Sequence, residues 1–168
     1  MPITASASLA HLAWLQTALS SPTSTPMVNA DGSARKLFLA PSRALIEIAG
    51  ISWSPDGRWL AYSEATGSVT TSQTPYHLFV KPLDGGAAVQ LSSGVDNQLS
   101  PAWSPDGTEI AYENAVPTFT SSSIQIVGAD GTGVRTVLTL DTGIGGLFSW
   151  SPNGISITFG QKQDRSCR

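Results

Sequence analysis

Apolar side chains along the chain come in short alternating runs cut by turn-forming residues. Ile51 and Trp53 flank Ser52, Leu60 and Tyr62 flank Ala61, Leu78 and Val80 flank Phe79, and Ile124 and Ile126 flank Gln125. A period of two over runs this short predicts β-strands. The intervening positions are themselves often apolar, as expected for strands covered on both faces.

The runs repeat. Ile51-Ser52-Trp53-Ser54-Pro55-Asp56-Gly57 is followed by Pro101-Ala102-Trp103-Ser104-Pro105-Asp106-Gly107 and by Phe148-Ser149-Trp150-Ser151-Pro152-Asn153-Gly154, with the tryptophans 50 and 47 residues apart. Seven to nine residues after each tryptophan comes an aliphatic, a small and an aromatic residue: Leu60-Ala61-Tyr62, Ile110-Ala111-Tyr112 and Ile157-Thr158-Phe159. A second landmark lies between the tryptophans, at Asp31-Gly32, Asp84-Gly85 and Asp130-Gly131, each followed by apolar positions such as Leu37 and Leu39, Val89 and Leu91, or Val134 and Leu138. Periods of this length indicate a repeat architecture.

Turn chemistry fits the pattern. In Ser54-Pro55-Asp56-Gly57 the proline presets φ, the short carboxylate can cap nearby N–H groups, and the glycine accepts a positive φ. Asn153 keeps the side-chain acceptor and loses only the charge, so the third copy should turn in the same way. One period then holds four strands: one ending at the tryptophan, one centred on the aliphatic-small-aromatic triplet, one before Asp-Gly and one after it. This is an antiparallel propeller blade, and the expected fold is an all-β propeller. The repeated indoles of Trp53, Trp103 and Trp150 would fill space between adjacent sheets.

With these motifs, residues 27 to 160 resemble the WD-like repeats of TolB-type β-propellers. The resemblance implies the fold and a periplasmic or secreted setting. Such repeats occur in the TolB protein of the Tol-Pal envelope system, in non-catalytic propellers of prolyl-oligopeptidase-like and tricorn-like peptidases, and in many exported bacterial proteins, so the fold does not fix the function. TolB members have about six blades; this chain departs from them with about three. The expected division of a single partial propeller over 1–168 is a half blade at 1–42, whole blades at 43–95 and 96–142, and a half blade at 143–168.

Closed propellers have at least four blades. Uncovered terminal faces would forgo on the order of 10 kcal/mol gross if each exposes several hundred square ångströms of apolar surface. The chain is therefore expected to be a fragment of a longer protein, with ring closure by a second copy, or pairing of the first half blade with the last, as alternatives. Residues 10 to 17 read as the second strand of the truncated first blade, or as part of a short amphipathic helix carrying Leu9, Leu12, Leu15 and Leu19. Residues 20–26, Thr66 to Gln73 and Ala115 to Ser123 read as loops.

Composition narrows the function. Of 168 residues, 40% are hydrophobic and 12% charged, with a net charge of -3, so neither disorder nor a membrane protein is indicated. The nine Lys and Arg are scattered, which argues against nucleic acid. No apolar run is long enough for a spanning helix. The apolar stretch Leu9 to Leu15 lacks a preceding Lys or Arg and makes a poor signal peptide. The one cysteine, Cys167, excludes an internal disulfide and a cysteine-rich metal site.

Catalytic machinery is not indicated either. Gly50-Ile51-Ser52-Trp53-Ser54 lacks the last glycine of a nucleophile elbow. His11 and His77 stand outside any ligand spacing, and His77 reads as a strand residue. The aspartates before glycine read as turn caps rather than paired acids, no segment has the acid spacing of a calcium loop, and neither Asp84-Gly85-Gly86 nor Gly143 to Gly146 continues into a phosphate loop. No catalytic residue, metal or cofactor is expected. The expected role is a non-enzymatic scaffold binding a protein or peptide, with self-association through exposed blade faces a further possibility. The alternative is a gating propeller for a hydrolase domain outside this chain.

Overall fold

The computed structural model describes residues 25–34, 36–39, 48–65 and 74–161. The strand-or-helix alternative for residues 9–19 and the loop at Thr66 to Gln73 lie outside them, as do His11 and Cys167. The chain divides into two compact units, 1–46 and 47–168.

The first unit contains an antiparallel hairpin of β1 (Thr25–Met27) and β2 (Lys36–Leu39). β1 starts inside the segment expected to be a loop. Its Pro26 is compatible with an edge strand, where a missing N–H can be tolerated. At the turn, Asp31 Oδ1 accepts from the backbone N–H of Ser33 at 2.9 Å and from its hydroxyl at 2.6 Å.

The second unit is all β. One four-stranded antiparallel sheet runs in the order β3 (Ile48–Trp53), β4 (Trp59–Ala65), β5 (Tyr76–Pro82) and β6 (Val89–Gln90). A second has the same sequential order, with β7 (Asn97–Trp103), β8 (Glu109–Ala115), β9 (Ser122–Gly128) and β10 (Arg135–Leu140). A hairpin of β11 (Ile144–Trp150) and β12 (Ile157–Gln161) follows. These are propeller blades in an arc that does not close. The expected Ala115 to Ser123 loop is shorter at both ends, because Ala115 pairs with Ser122 and Asn114 with Ser123.

The core lies between the two four-stranded sheets. Ala61, Leu78 and Val80 from the first form one buried cluster with Ile110, Tyr112 and Val127 from the second, and Leu91 and Trp103 pack against it. β4 and β8 are buried on both faces, whereas the outermost strand β10 is exposed along most of its length. Apolar periodicity alone therefore overstates burial at Val134 and Leu138. On the first sheet Tyr62 stacks on Phe79 with ring centroids 5.6 Å apart.

Each first strand is bulged, between Ile48 and Ile51, Leu99 and Ala102, and Ile144 and Phe148. At each bulge one residue takes a positive φ: Gly50, Ser100 and Gly146. Bulges bend a strand and increase its twist. Here they stand where β3, β7 and β11 succeed one another across the sheets.

Candidate functional site

The three repeat motifs fold into one hydrogen-bonded unit whose hub is the serine. In the first copy the Ser54 hydroxyl donates to Asp56 Oδ1 at 2.5 Å and accepts from the Trp59 N–H at 2.9 Å, while Asp56 Oδ1 also accepts from the Arg58 N–H at 3.0 Å. In the second copy Ser104 donates to Asp106 at 2.6 Å and accepts from the Glu109 N–H at 3.0 Å. The third substitutes Asn153, to which Ser151 donates at 2.7 Å while accepting from the Ser156 N–H at 2.9 Å. In every copy the glycine N–H closes the turn on the serine carbonyl, and Gly57, Gly107 and Gly154 all have positive φ. Pro55, Pro105 and Pro152 are exposed at the turn corners.

Sequence reasoning assigned these turns to Pro, Asp and Gly and gave the serine no part. The signal was its invariance across three copies. Ser54 and Ser104 are 5% and 3% exposed, and replacing either would remove both bonds that the hydroxyl makes across its turn.

The tryptophans do not share one environment. Trp150 donates its indole N–H to the Ala102 carbonyl at 3.0 Å, reaching from β11 to the preceding sheet. Trp103 packs against the inter-sheet cluster, and its backbone N–H donates to the Ser52 hydroxyl at 3.1 Å, but its indole N–H is buried without a partner. Trp53 is 52% exposed.

Two of the motif turns border a groove of about 570 Å³ on the second unit. Its apolar wall comprises Trp59, Trp103, Val80, Val89 and Leu91, and Asp56, Asp106 and Asp130 contribute carboxylates. β5 and β6 supply the aliphatic residues, the motif turns supply Asp56 and Asp106, and the β9–β10 turn supplies Asp130. All three carboxyls are held below the usual aspartate range: Asp56 and Asp106 mainly by their serine hydroxyls, Asp130 mainly by the Thr132 N–H. They are therefore anionic at neutral pH. The turn donors converge on Oδ1 of each. The nearby Glu109 is engaged by a two-pronged ion pair with Arg135, one arm at 2.8 Å. The groove is thus an apolar trough with a negative rim.

A second polar region lies between the sheets. Asn114 donates to Asp96 at 2.9 Å, Gln98 donates to Asn114 at 3.1 Å, and Ser92 joins Gln98 to the Leu78 N–H. His77 is buried in β5, with Nε2 3.0 Å from the Gly94 carbonyl, consistent with a strand residue. These contacts satisfy buried groups and orient strands. Among the described residues no group of three or more His, Cys, Asp or Glu is placed to hold a metal ion, and no helix is long and apolar enough to cross a membrane.

No family model and no curated protein matches the chain. Solved structures do. A TolB candidate from Agrobacterium tumefaciens superposes with a TM-score of 0.65 at 17% identity, covering 84% of this chain and 51% of that one. TolB from Acinetobacter baumannii gives 0.62 at 23% identity, covering 84% and 32%. A chain of the nidogen/laminin complex gives 0.64 at 14% identity, covering 81% and 48%. The fold is thus that of TolB and other β-propellers, and this chain spans from about a third to about half the length of these structures. A Pyrococcus horikoshii acylaminoacyl peptidase shares the fold at a TM-score of 0.51 and 14% identity, so the architecture serves catalytic and non-catalytic proteins alike.

Proposed function

We propose that the chain is a non-catalytic binding propeller whose groove takes an extended peptide carrying Lys or Arg beside apolar side chains. One observation carries the reading: three ionised aspartates rim a trough walled by two tryptophans and aliphatic side chains. Apolar walls favour burial of a ligand's aliphatic or aromatic groups, and fixed negative charge selects cationic neighbours. A periplasmic or secreted setting belongs to the same proposal and draws on the likeness to TolB. The rival role, filtering substrate for an attached hydrolase, draws on shared fold alone.

A fluorescence-anisotropy titration tests this with two labelled peptides of equal length, Leu alternating with Lys and Leu alternating with Glu. The basic peptide is expected to bind and to weaken with added salt. Asp56→Asn with Asp130→Asn should weaken it by about fivefold. Equal affinity for both peptides would overturn the reading.

A further inference from the structure

Two successive blades fill the same place in different ways. In the first sheet Trp59 pairs with Pro82 and Val80 with Val89. In the second, Glu109 pairs with Gly128 and Ile126 with Arg135. Counted from the motif tryptophans and the Asp-Gly turns, Glu109 therefore stands where the first blade has Trp59, and Arg135 where it has Val89. Sheet order puts β9 between Glu109 and Arg135, so their two-pronged ion pair bridges that strand.

Trp59 and Val89 wall the groove, beside Val80 of the cluster that joins the two sheets. On the second sheet Ile110, Tyr112 and Val127 point into that cluster. Side chains alternate along a strand, so Glu109 and Ile126 point away from the first sheet, and Arg135 shares the face of its partner Ile126. The ion pair thus occupies, on the far face of the second blade, the place that the groove occupies on the corresponding face of the first.

We infer that the groove takes the side chain of an arginine in the bound peptide, with its guanidinium on the Trp59 indole and its donors on the aspartate rim. This rests on the reading of the groove as a peptide site and narrows the cation it selects. The second blade shows the fit, because there the chain lays a guanidinium of its own across the blade beside the motif turn. In the first blade the shorter Val89 leaves that place to the groove of about 570 Å³. Trp59, 37% exposed, offers a flat aromatic face where the second blade has a carboxylate. A guanidinium stacks on such a face and is more weakly hydrated than the compact ammonium of lysine.

Negative charge comes instead from Asp56, Asp106 and Asp130. Turn donors take Oδ1 of each, which leaves the second oxygen to a forked donor. The walls are held by contacts between the sheets: a Cβ on Gly107 would lie 3.6 Å from Cδ of Pro55, and one on Gly131 3.4 Å from Cδ2 of Leu91. A site fixed in this way loses little ordering entropy on binding.

Anisotropy titrations of the 168-residue chain test this with three labelled peptides of equal length, Leu alternating with Arg, Lys or Glu. The arginine peptide is expected to bind about fivefold more tightly than the lysine peptide. Trp59→Leu keeps the wall apolar and removes the ring, so it should erase that preference. Trp59→Glu with Val89→Arg copies the second blade's ion pair into the first. It should stay folded by circular dichroism and lose about tenfold in affinity for the arginine peptide, because an arginine of the chain now fills the place. Equal binding of the arginine and lysine peptides, or a preference that survives Trp59→Leu, overturns the inference and leaves the groove reading standing. A folded double variant that binds the arginine peptide as the wild type does overturns it as well; should that variant fail to fold, Trp59→Leu decides alone. Basic and acidic peptides bound alike would overturn both readings.

Discussion

Gly50 and Ser100 meet back to back across two sheets: a Cβ on Gly50 would lie 2.9 Å from the Cα of Ser100 and 3.1 Å from Cδ of Pro101. Ser100 itself takes a positive φ of 54°, and a Cβ on Gly146 would lie 3.1 Å from its hydroxyl. The bulges of β3, β7 and β11 thus nest in series. Their contact sets how closely consecutive blades approach.

Gly50→Ala should therefore cost more than Gly57→Ala. Both positions have positive φ, costing a residue with a Cβ about 1–2 kcal/mol. At Gly57 no atom lies within 4 Å of the added methyl, whereas at Gly50 backbone must move. Urea unfolding should place Gly50→Ala a further 1–3 kcal/mol or so below Gly57→Ala. Equal losses would show that the sheets do not touch there.

Removing the turn hub separates serine from aspartate. Ser104→Ala leaves the Glu109 N–H and Asp106 without their shared partner and should destabilise by about 1–3 kcal/mol. Asp106→Asn should be close to neutral at pH 7, because Asn153 already makes the same bonds in the third copy. The two denaturation midpoints, measured side by side, check both expectations.

Acid should unfold the protein in a defined window. Asp31, Asp56, Asp106 and Asp130 are held below their usual 3.8, so the unfolded chain binds protons more tightly than the native one. Their contribution is complete above 3.8 and is lost as pH falls through that value toward the native pKa. Glu64 acts in the opposite direction: burial raises it above 4.5, so native stability rises as pH falls from its raised value through 4.5. Glu109, held below 4.5 chiefly by its hydrogen bonds from Arg135, loses its contribution as pH falls through the same range. The rise due to Glu64 is therefore read as the difference between wild type and Glu64→Gln on mild acidification, and the urea midpoint should drop below pH 3.8. Asp56→Asn with Asp106→Asn should soften the drop. A midpoint independent of pH from about 6 to about 3 would contradict both assignments.

Ile110 is fully buried at the centre of the inter-sheet cluster. Ile110→Ala should cost about 2–5 kcal/mol, whereas Val137→Ala on exposed β10 should change the midpoint little. A comparable loss at both positions would mean that the outer strand is covered.

The fold was legible in the sequence because turn chemistry and strand periodicity repeat together. Trp-Ser-Pro-Asp-Gly followed by Leu-Ala-Tyr marks two strands and the reversal between them, and Asp-Gly marks the next reversal. The bulges were hidden because Gly50 and Ser100 share a distance of three residues from their tryptophans but not an identity, while Gly146 is a glycine four residues from its own. The groove was hidden too: Trp59, Val89 and Asp130 come together only through the stacking of two sheets, and no local pattern connects them. Likewise the three tryptophans read alike, yet Trp150 is bonded, Trp103 has an orphaned donor, and Trp53 lies open.

All of this depends on consecutive blades stacking with the later indole reaching the earlier sheet. An NMR measurement of indole N–H exchange, with NOEs from the Trp150 indole proton to Ala102, tests that contact directly. The expected result is slow exchange at Trp150, with the NOE present, and fast exchange at Trp53. Exchange at Trp150 as fast as at Trp53, with no NOE to Ala102, would contradict it.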